Sequence, residues 1–140
     1  MEVLRISSII PYGVPHRATE DTELRGYLIP KGVSVYASFY STHHDPEVWG
    51  DPENFRPDRF LSSDGSKVER HESLLPFSTG RRTCPGELLA RHQLFLFLTT
   101  LVQNFRICNE DGKPLPTLDT VPGNIVLDPY PYSVILKERL

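Results

Sequence analysis

The sequence of 140 residues predicts an α+β fold in one domain. Three observations predict it. Two β-like runs, Leu24 to Ile29 and Val33 to Ala37, flank a Pro30-Lys31-Gly32 turn. One long apolar stretch, from Glu87 to about Asn104, has the length of a helix. Two short apolar runs, Ile125 to Leu127 and Ser133 to Leu136, read as closing strands.

The elements follow in chain order. Met1 to Ile6 reads as helix, and Pro11 stops it. No capping residue precedes Glu2, and a helix below about 12 residues is marginal alone. The chain is therefore expected to enter a longer helix midway and to be a piece of a larger protein. The antiparallel hairpin around Pro30-Lys31-Gly32 comes next. Asp45 to Trp49 suits one helical turn. Asp51 to Phe60 is proline-rich and irregular, and Leu61 to Ser73 is polar and reads as an exposed loop. Leu74 to Gly86 is irregular. In the long helix, Leu88, Leu89, Leu94, Phe95, Leu96, Phe97, Leu98, Leu101 and Val102 cover nearly every face, which predicts a central, buried helix. Thirteen prolines punctuate the whole, so short elements joined by fixed turns are expected.

Composition excludes several classes. Hydrophobic residues make up 39% and charged residues 24%, ordinary for a globular protein. A net charge of −3 without a basic block argues against a nucleic-acid partner. Cys84 and Cys108 make no disulfide framework and fit a reducing compartment. The most apolar run, Leu94 to Val102, falls short of the roughly 20 residues a membrane span needs.

Chemistry concentrates in Pro76-Phe77-Ser78-Thr79-Gly80-Arg81-Arg82-Thr83-Cys84-Pro85-Gly86-Glu87. A cysteine stands where a loop meets a helix, with Pro85 suited to the first helical position. Helix N–H groups and the positive dipole end would face the sulfur, and Arg82 adds a cation nearby. That setting suits a metal-bound thiolate. No second cysteine or histidine follows at zinc spacing. A lone sulfur ligand suits a metal that brings its own equatorial ligands, as haem does. The competing reading is a buried structural cysteine beside surface arginines. Gly80 would allow a tight turn and Gly86 a close approach to a flat ligand. Phe77 could shield the sulfur, and Arg82 could pair with a ligand carboxylate.

Phe77-x-x-Gly80-x-Arg82-x-Cys84-x-Gly86 resembles the haem-binding signature of the cytochrome P-450 family at each of its defining positions. Glu87-Leu88-Leu89-Ala90-Arg91 is similar to that family's continuation. Two further segments resemble the family in order: Glu2-x-x-Arg5 and Pro57-Asp58-Arg59-Phe60. Glu2 and Arg5 share one helix face, and the resemblance adds Arg59 as third member of a structural charged triad. It covers essentially the whole chain and is closest to the microsomal drug- and steroid-oxidising branch, through Gly13-Val14-Pro15-His16, Gly26 to Gly32 and Leu94 to Leu98.

The resemblance implies the C-terminal, haem-proximal portion of a mainly α domain with a small antiparallel β component, over residues 1–140. It implies haem b (iron protoporphyrin IX) with Cys84 as axial iron ligand. His16 and Arg82 would hold propionates, and Ile10, Val14 and the turn at Pro122-Gly123-Asn124 would line a substrate pocket. The activity implied is insertion of one oxygen atom from O2 into a lipophilic substrate, with electrons from NADPH through a flavin reductase and cytochrome b5 as a further candidate donor. The place implied is the cytosolic face of the endoplasmic reticulum membrane, with contact through an N-terminal anchor upstream of Met1. An upstream central helix would carry the residues that deliver protons to oxygen, so the 140 residues alone are expected to be inactive. The alternatives are an isomerase or dehydratase of the same family and a non-catalytic truncated product.

The remaining candidates read as bland. His43-His44-Asp45 is expected to be structural or solvated, because adjacent histidines on an irregular segment rarely converge on one ion. His71 and His92 read as polar side chains facing solvent. Trp49 reads as a packing anchor, and Cys108 as an inert buried thiol.

Overall fold

The computed structural model describes residues 1–121, 123 and 125–139. It is α+β, with helices beside three two-stranded antiparallel sheets. Two compact units divide the chain: Met1–Pro76 with Ile125–Leu127, and Phe77–Asn124 with Asp128–Leu140.

The first unit opens with α1 (Glu2–Ser7), which ends where Ser8 turns left-handed at φ 36°. Its strands are β1 (His16–Arg17), β2 (Thr22–Leu24), β3 (Tyr27–Ile29) and β4 (Ser34–Val35). Their pairing differs from the expected hairpin. The run Leu24 to Ile29 folds back on itself, with Thr22 opposite Ile29 and Leu24 opposite Tyr27. The second run pairs instead with β1, His16 opposite Val35. The reason lies at Arg25-Gly26, whose φ angles of 50° and 84° make the left-handed corner that tight hairpins require. Gly26 takes that corner freely, so a strand pair closes there. Pro30-Lys31-Gly32 also turns, with Gly32 at φ 86° and the Val33 N–H on the Pro30 carbonyl at 3.2 Å, but the strands it joins do not pair with each other.

Two short helices follow. In α2 (Phe39–His43), the Ser38 side chain caps the Ser41 N–H. In α3 (Pro46–Trp49), Asp45 caps the Glu47 N–H, and Pro46 occupies the first turn, where its missing N–H costs nothing. A 3-10 turn then spans Pro57–Phe60. The apolar core of this unit is small: Trp49, Phe60 and Leu74, with Met1 packed against them. Trp49 sits at its centre, 5.8 Å from the Phe60 ring and 4.6 Å from the His71 ring. His71 is thus a packing partner that also accepts the Ser73 N–H, and not a side chain held only by solvent.

The second unit holds a 3-10 turn at Gly80–Arg82, then α4 (Glu87–Asn104), β5 (Phe105–Cys108) and β6 (Ile135–Glu138). β5 and β6 pair antiparallel, Cys108 opposite Ile135. Ile125 to Leu127, expected as a strand, is not one; the Leu127 N–H instead bonds the Ile9 carbonyl. The helix begins at Glu87 with Gly86 as its cap, so Pro85 lies in the preceding turn and not in the helix. The larger correction concerns burial. No residue of α4 is buried, and Phe97 is 69% exposed. Apolar residues on every face do signal a helix meant to be covered. Yet among the described residues its contacts run to β5, and one strand cannot wrap a cylinder. Cys108 is half-buried rather than buried. No helix among the described residues is long and apolar enough to cross a membrane.

Candidate functional site

The cysteine loop belongs to the second unit. Two left-handed residues shape it, Ser78 at φ 64° and Gly80 at φ 73°. Glycine takes the second without the strain that a side chain would add there. The chain then passes through its 3-10 turn, closed by the Thr83 N–H to the Gly80 carbonyl at 3.2 Å. Cys84 donates its N–H to the Phe77 carbonyl at 2.9 Å. The Thr83 hydroxyl donates to the same carbonyl at 3.1 Å. On the other side, the Glu87 N–H reaches the Cys84 carbonyl at 3.4 Å. The backbone of Cys84 is therefore held from both ends.

Its side chain is free and exposed. A Cβ added to Gly86 would stand 3.7 Å from the sulfur, in ordinary contact. Glycine at 86 thus keeps one flank of the sulfur bare. Arg81 and Arg82 are exposed on the turn, and Phe77 is half-buried below it. Among the described residues, no three His, Cys, Asp or Glu side chains converge on a point where a metal could sit. A single exposed sulfur without a closing ligand set does not fit a protein-only metal centre. It fits haem, which supplies four nitrogen ligands and asks the protein for an axial one.

The charged triad belongs to the first unit. Arg5 is fully buried and Glu2 nearly so. Arg5 grips Glu2 with two bonds of 2.8 Å, Nε to Oε2 and Nη2 to Oε1. Its remaining donors serve backbone carbonyls: His43 at 2.7 Å and Pro52 at 2.8 Å. Arg59 reaches Glu2 Oε1 through Nε at 3.1 Å and the Trp49 carbonyl through Nη1 at 2.8 Å. The Arg56 N–H also donates to Glu2 Oε1, at 3.0 Å. Burial alone would raise the Glu2 pKa. The hydrogen bonds from Arg5 and Arg56 and the charges of Arg5 and Arg59 outweigh it, and hold the carboxyl below its ordinary range. Both guanidiniums lie near the Trp49 ring, at 5.4 and 5.9 Å from its centroid.

Sequence reasoning left His43 without a specific role, and the structure gives it one. It is fully buried. Its Nε2 accepts the Leu75 N–H at 2.9 Å, which fixes the proton of a neutral ring on Nδ1. That proton goes to the Ser8 hydroxyl at 2.8 Å, and Ser8 donates to the Arg5 carbonyl at 2.7 Å. Burial, with the nearby charges of His44 and Arg5, pushes the His43 pKa down to about 4. His43 thus fastens the segment at Leu75 to α1. His44 stacks on Tyr40 and His92 is exposed, so neither joins it.

Ile10 and His16 are exposed, and Val14 is 80% exposed. Asn124 and Pro122 lie outside the described residues; Gly123 between them sits at φ 90°. Sequence reasoning also missed the contacts of Arg91. Its guanidinium lies 5.2 Å from the Phe77 ring centroid and bonds the Glu87 carboxylate at 2.8 Å. The spacing of Glu87 and Arg91 at i and i+4 could have signalled the ion pair, but nothing in the sequence places Phe77 beside it.

Comparison with known proteins gives consistent matches. The family model for cytochrome P-450 matches residues 1–136. A cytochrome P-450 1A1 from Chelon saliens is 44% identical over 117 residues, covering 82% of this chain and 22% of that protein. A farnesoate epoxidase from Bombyx mori is 42% identical over 139 residues, covering 99% of this chain and 28% of that protein. Among solved structures, a zebrafish cytochrome P-450 with abiraterone superposes with a TM-score of 0.84 at 40% identity, covering 99% of this chain and 32% of that one. The chain spans about a quarter of the length of the curated relatives it matches.

Proposed function

The chain belongs to the cytochrome P-450 family, and from that premise we propose that it holds haem b through Cys84 as part of a haem-thiolate monooxygenase. The observation that carries the proposal is the exposed sulfur of Cys84 on a backbone fixed at both ends. Bound there, haem supplies the chemistry by which one atom of O2 enters a lipophilic substrate and the other is reduced to water. The name of the silk-moth relative, an epoxidase, supports oxygen insertion as the reaction type.

The residues of this chain bind and orient. Cys84 presents an anionic, soft donor to the iron. Gly80 sets the turn that aims it, and Gly86 keeps its flank open to a flat ligand. Phe77 screens the sulfur from water on the protein side. Arg82 and His16 pair with the propionates, a task suited to a forked cation and an imidazole N–H. Ile10, Val14 and Asn124 contribute to the substrate pocket. Glu2, Arg5 and Arg59 hold the scaffold and touch neither haem nor substrate. In this reading residues 1–140 are part of one cytochrome P-450 domain. Electrons arrive from NADPH through a flavin reductase, with cytochrome b5 as a second donor. The enzyme works at the endoplasmic reticulum membrane.

Titration of the chain with ferric haem, followed by reduction under carbon monoxide, tests the core of this reading. A long-wavelength Soret band of thiolate-ligated haem is expected, and Cys84→Ala abolishes it. Haem uptake with an unchanged spectrum in Cys84→Ala would refute the assignment. Turnover of a lipophilic probe with NADPH and reductase, measured on a form that includes the rest of a family-length domain, tests the reaction itself.

A further inference from the structure

We propose that Arg91 is a positioning residue for the Cys84 sulfur, acting through Phe77; the inference rests on the haem-thiolate reading above. The second unit contains a closed circuit of contacts around the cysteine. The Phe77 carbonyl takes the Cys84 N–H at 2.9 Å, and the Cys84 carbonyl takes the Glu87 N–H at 3.4 Å. The Glu87 carboxylate accepts from Arg91 Nε at 2.8 Å, and the same oxygen lies 2.8 Å from Nη2 as an ion pair. The Arg91 guanidinium then lies over the Phe77 ring, 5.2 Å from its centroid, which returns the circuit to its start.

Each link is weak by itself, and two depend on Arg91. The Arg91 contact holds the half-buried Phe77 side chain in place, and a displacement of residue 77 as a whole carries its backbone carbonyl with it. That carbonyl serves both Cys84 and Thr83, so a shift at Phe77 loosens two donors together. The guanidinium suits the task because it can lie flat on a ring while its edge grips a carboxylate. The side chains of Arg91 and Glu87 are 27% and 25% exposed, so water only partly screens the pair. Arg91 reaches the sulfur only through other residues, so it positions and does not ligate.

Amide hydrogen exchange at Cys84 in the haem-free chain, with the ferrous carbon monoxide spectrum of the loaded chain, tests the proposal. In the unaltered chain the Cys84 amide is protected. Arg91→Gln speeds its exchange ~3- to 10-fold, the span expected for one partly desolvated cation–ring contact. Arg91→Lys keeps a cation on the ring and restores at least half of the lost protection. Phe77→Leu with Arg91→Gln is no worse than the more damaging single change, because both cut the same circuit. The amides of the β5–β6 pair, in the same unit, keep their protection throughout and report that this unit remains folded. In the loaded chain Arg91→Gln lowers the share of thiolate-type Soret band, and Arg91→Lys recovers it. An unprotected Cys84 amide in the unaltered chain overturns the circuit. Additive effects of Phe77→Leu and Arg91→Gln, or a thiolate band indifferent to Arg91→Gln, overturn the inference while the haem reading stands. No thiolate band in the unaltered chain sinks the haem reading, and the ligand-positioning role with it.

Discussion

Replacing Arg5 with methionine is expected to remove a large share of the stability of the first unit. The substitution keeps an unbranched chain of fair length but deletes the guanidinium. Two buried carbonyls, those of His43 and Pro52, then lose donors at 2.7 and 2.8 Å. An unsatisfied buried acceptor costs roughly 1–3 kcal/mol. Glu2 also loses one of its two cationic partners, and breaking a buried pair costs about 3–5 kcal/mol. These figures do not add, because all the groups share one network. Arg59 remains as a partner at 3.1 Å, which lowers the total. A loss of about 4 kcal/mol results, a large share of the ~5–15 kcal/mol that holds a domain. Urea titration followed by emission from Trp49, the only tryptophan, reads it directly. Arg5→Lys is expected to recover less than half, since an ammonium keeps the charge but cannot serve a carboxylate and two separate carbonyls through a planar fork. A loss below about 1 kcal/mol in Arg5→Met, or full recovery in Arg5→Lys, would refute the reasoning.

Two further outcomes follow from the geometry. His43 has its folded pKa pushed down to about 4, by burial first and then by the charges of His44 and Arg5. The unfolded ring binds its proton near pH 6.5, so its neutral burial stabilises fully above that value and progressively less as pH falls towards 4. Unfolding free energies from urea titration should therefore drop between pH 7 and pH 5, by about 2 kcal/mol from this group, and His43→Phe should flatten that slope; an unchanged slope in the variant counts against it. At the cysteine turn, Gly80→Ala meets a left-handed φ of 73° and should cost about 1–2 kcal/mol, with weaker haem uptake. Gly86→Ala meets φ −90° and open van der Waals contact, so haem-free stability should change by less than about 1 kcal/mol while haem uptake still falls. Equal loss of haem-free stability in both would mean that backbone strain is not what distinguishes them.

The parts legible in the sequence were those with a local pattern. The long helix announces itself between Gly86 and Asn104 because its apolar residues are dense and turn-forming residues bound it. The cysteine turn is legible because its glycines, arginine, cysteine and aromatic stand at fixed short spacings. The first strand pair is hard to read because Pro30-Lys31-Gly32 is a louder turn signal than Arg25-Gly26; both turn, but only the latter places two successive residues at positive φ and closes a pair. His43, Leu74 and Ser8 gave no signal, since an isolated buried residue carries no period. The arginine network depends on carbonyls at His43, Pro52 and Trp49, and a backbone acceptor leaves no mark in a sequence. The wetness of α4 was illegible for another reason: periodicity reports which faces seek cover, not whether the chain provides it.

From Gln93 to Asn104, α4 carries no charge, and its leucines and phenylalanines other than Leu94 are exposed. Concentration therefore becomes a variable in handling this polypeptide. Rods of this kind stick to one another, to plastic and to detergent, and nothing along those three turns repels a neighbour. Dilute stocks, or a mild surfactant that coats the rod, will decide whether any measurement reads single molecules or clumps.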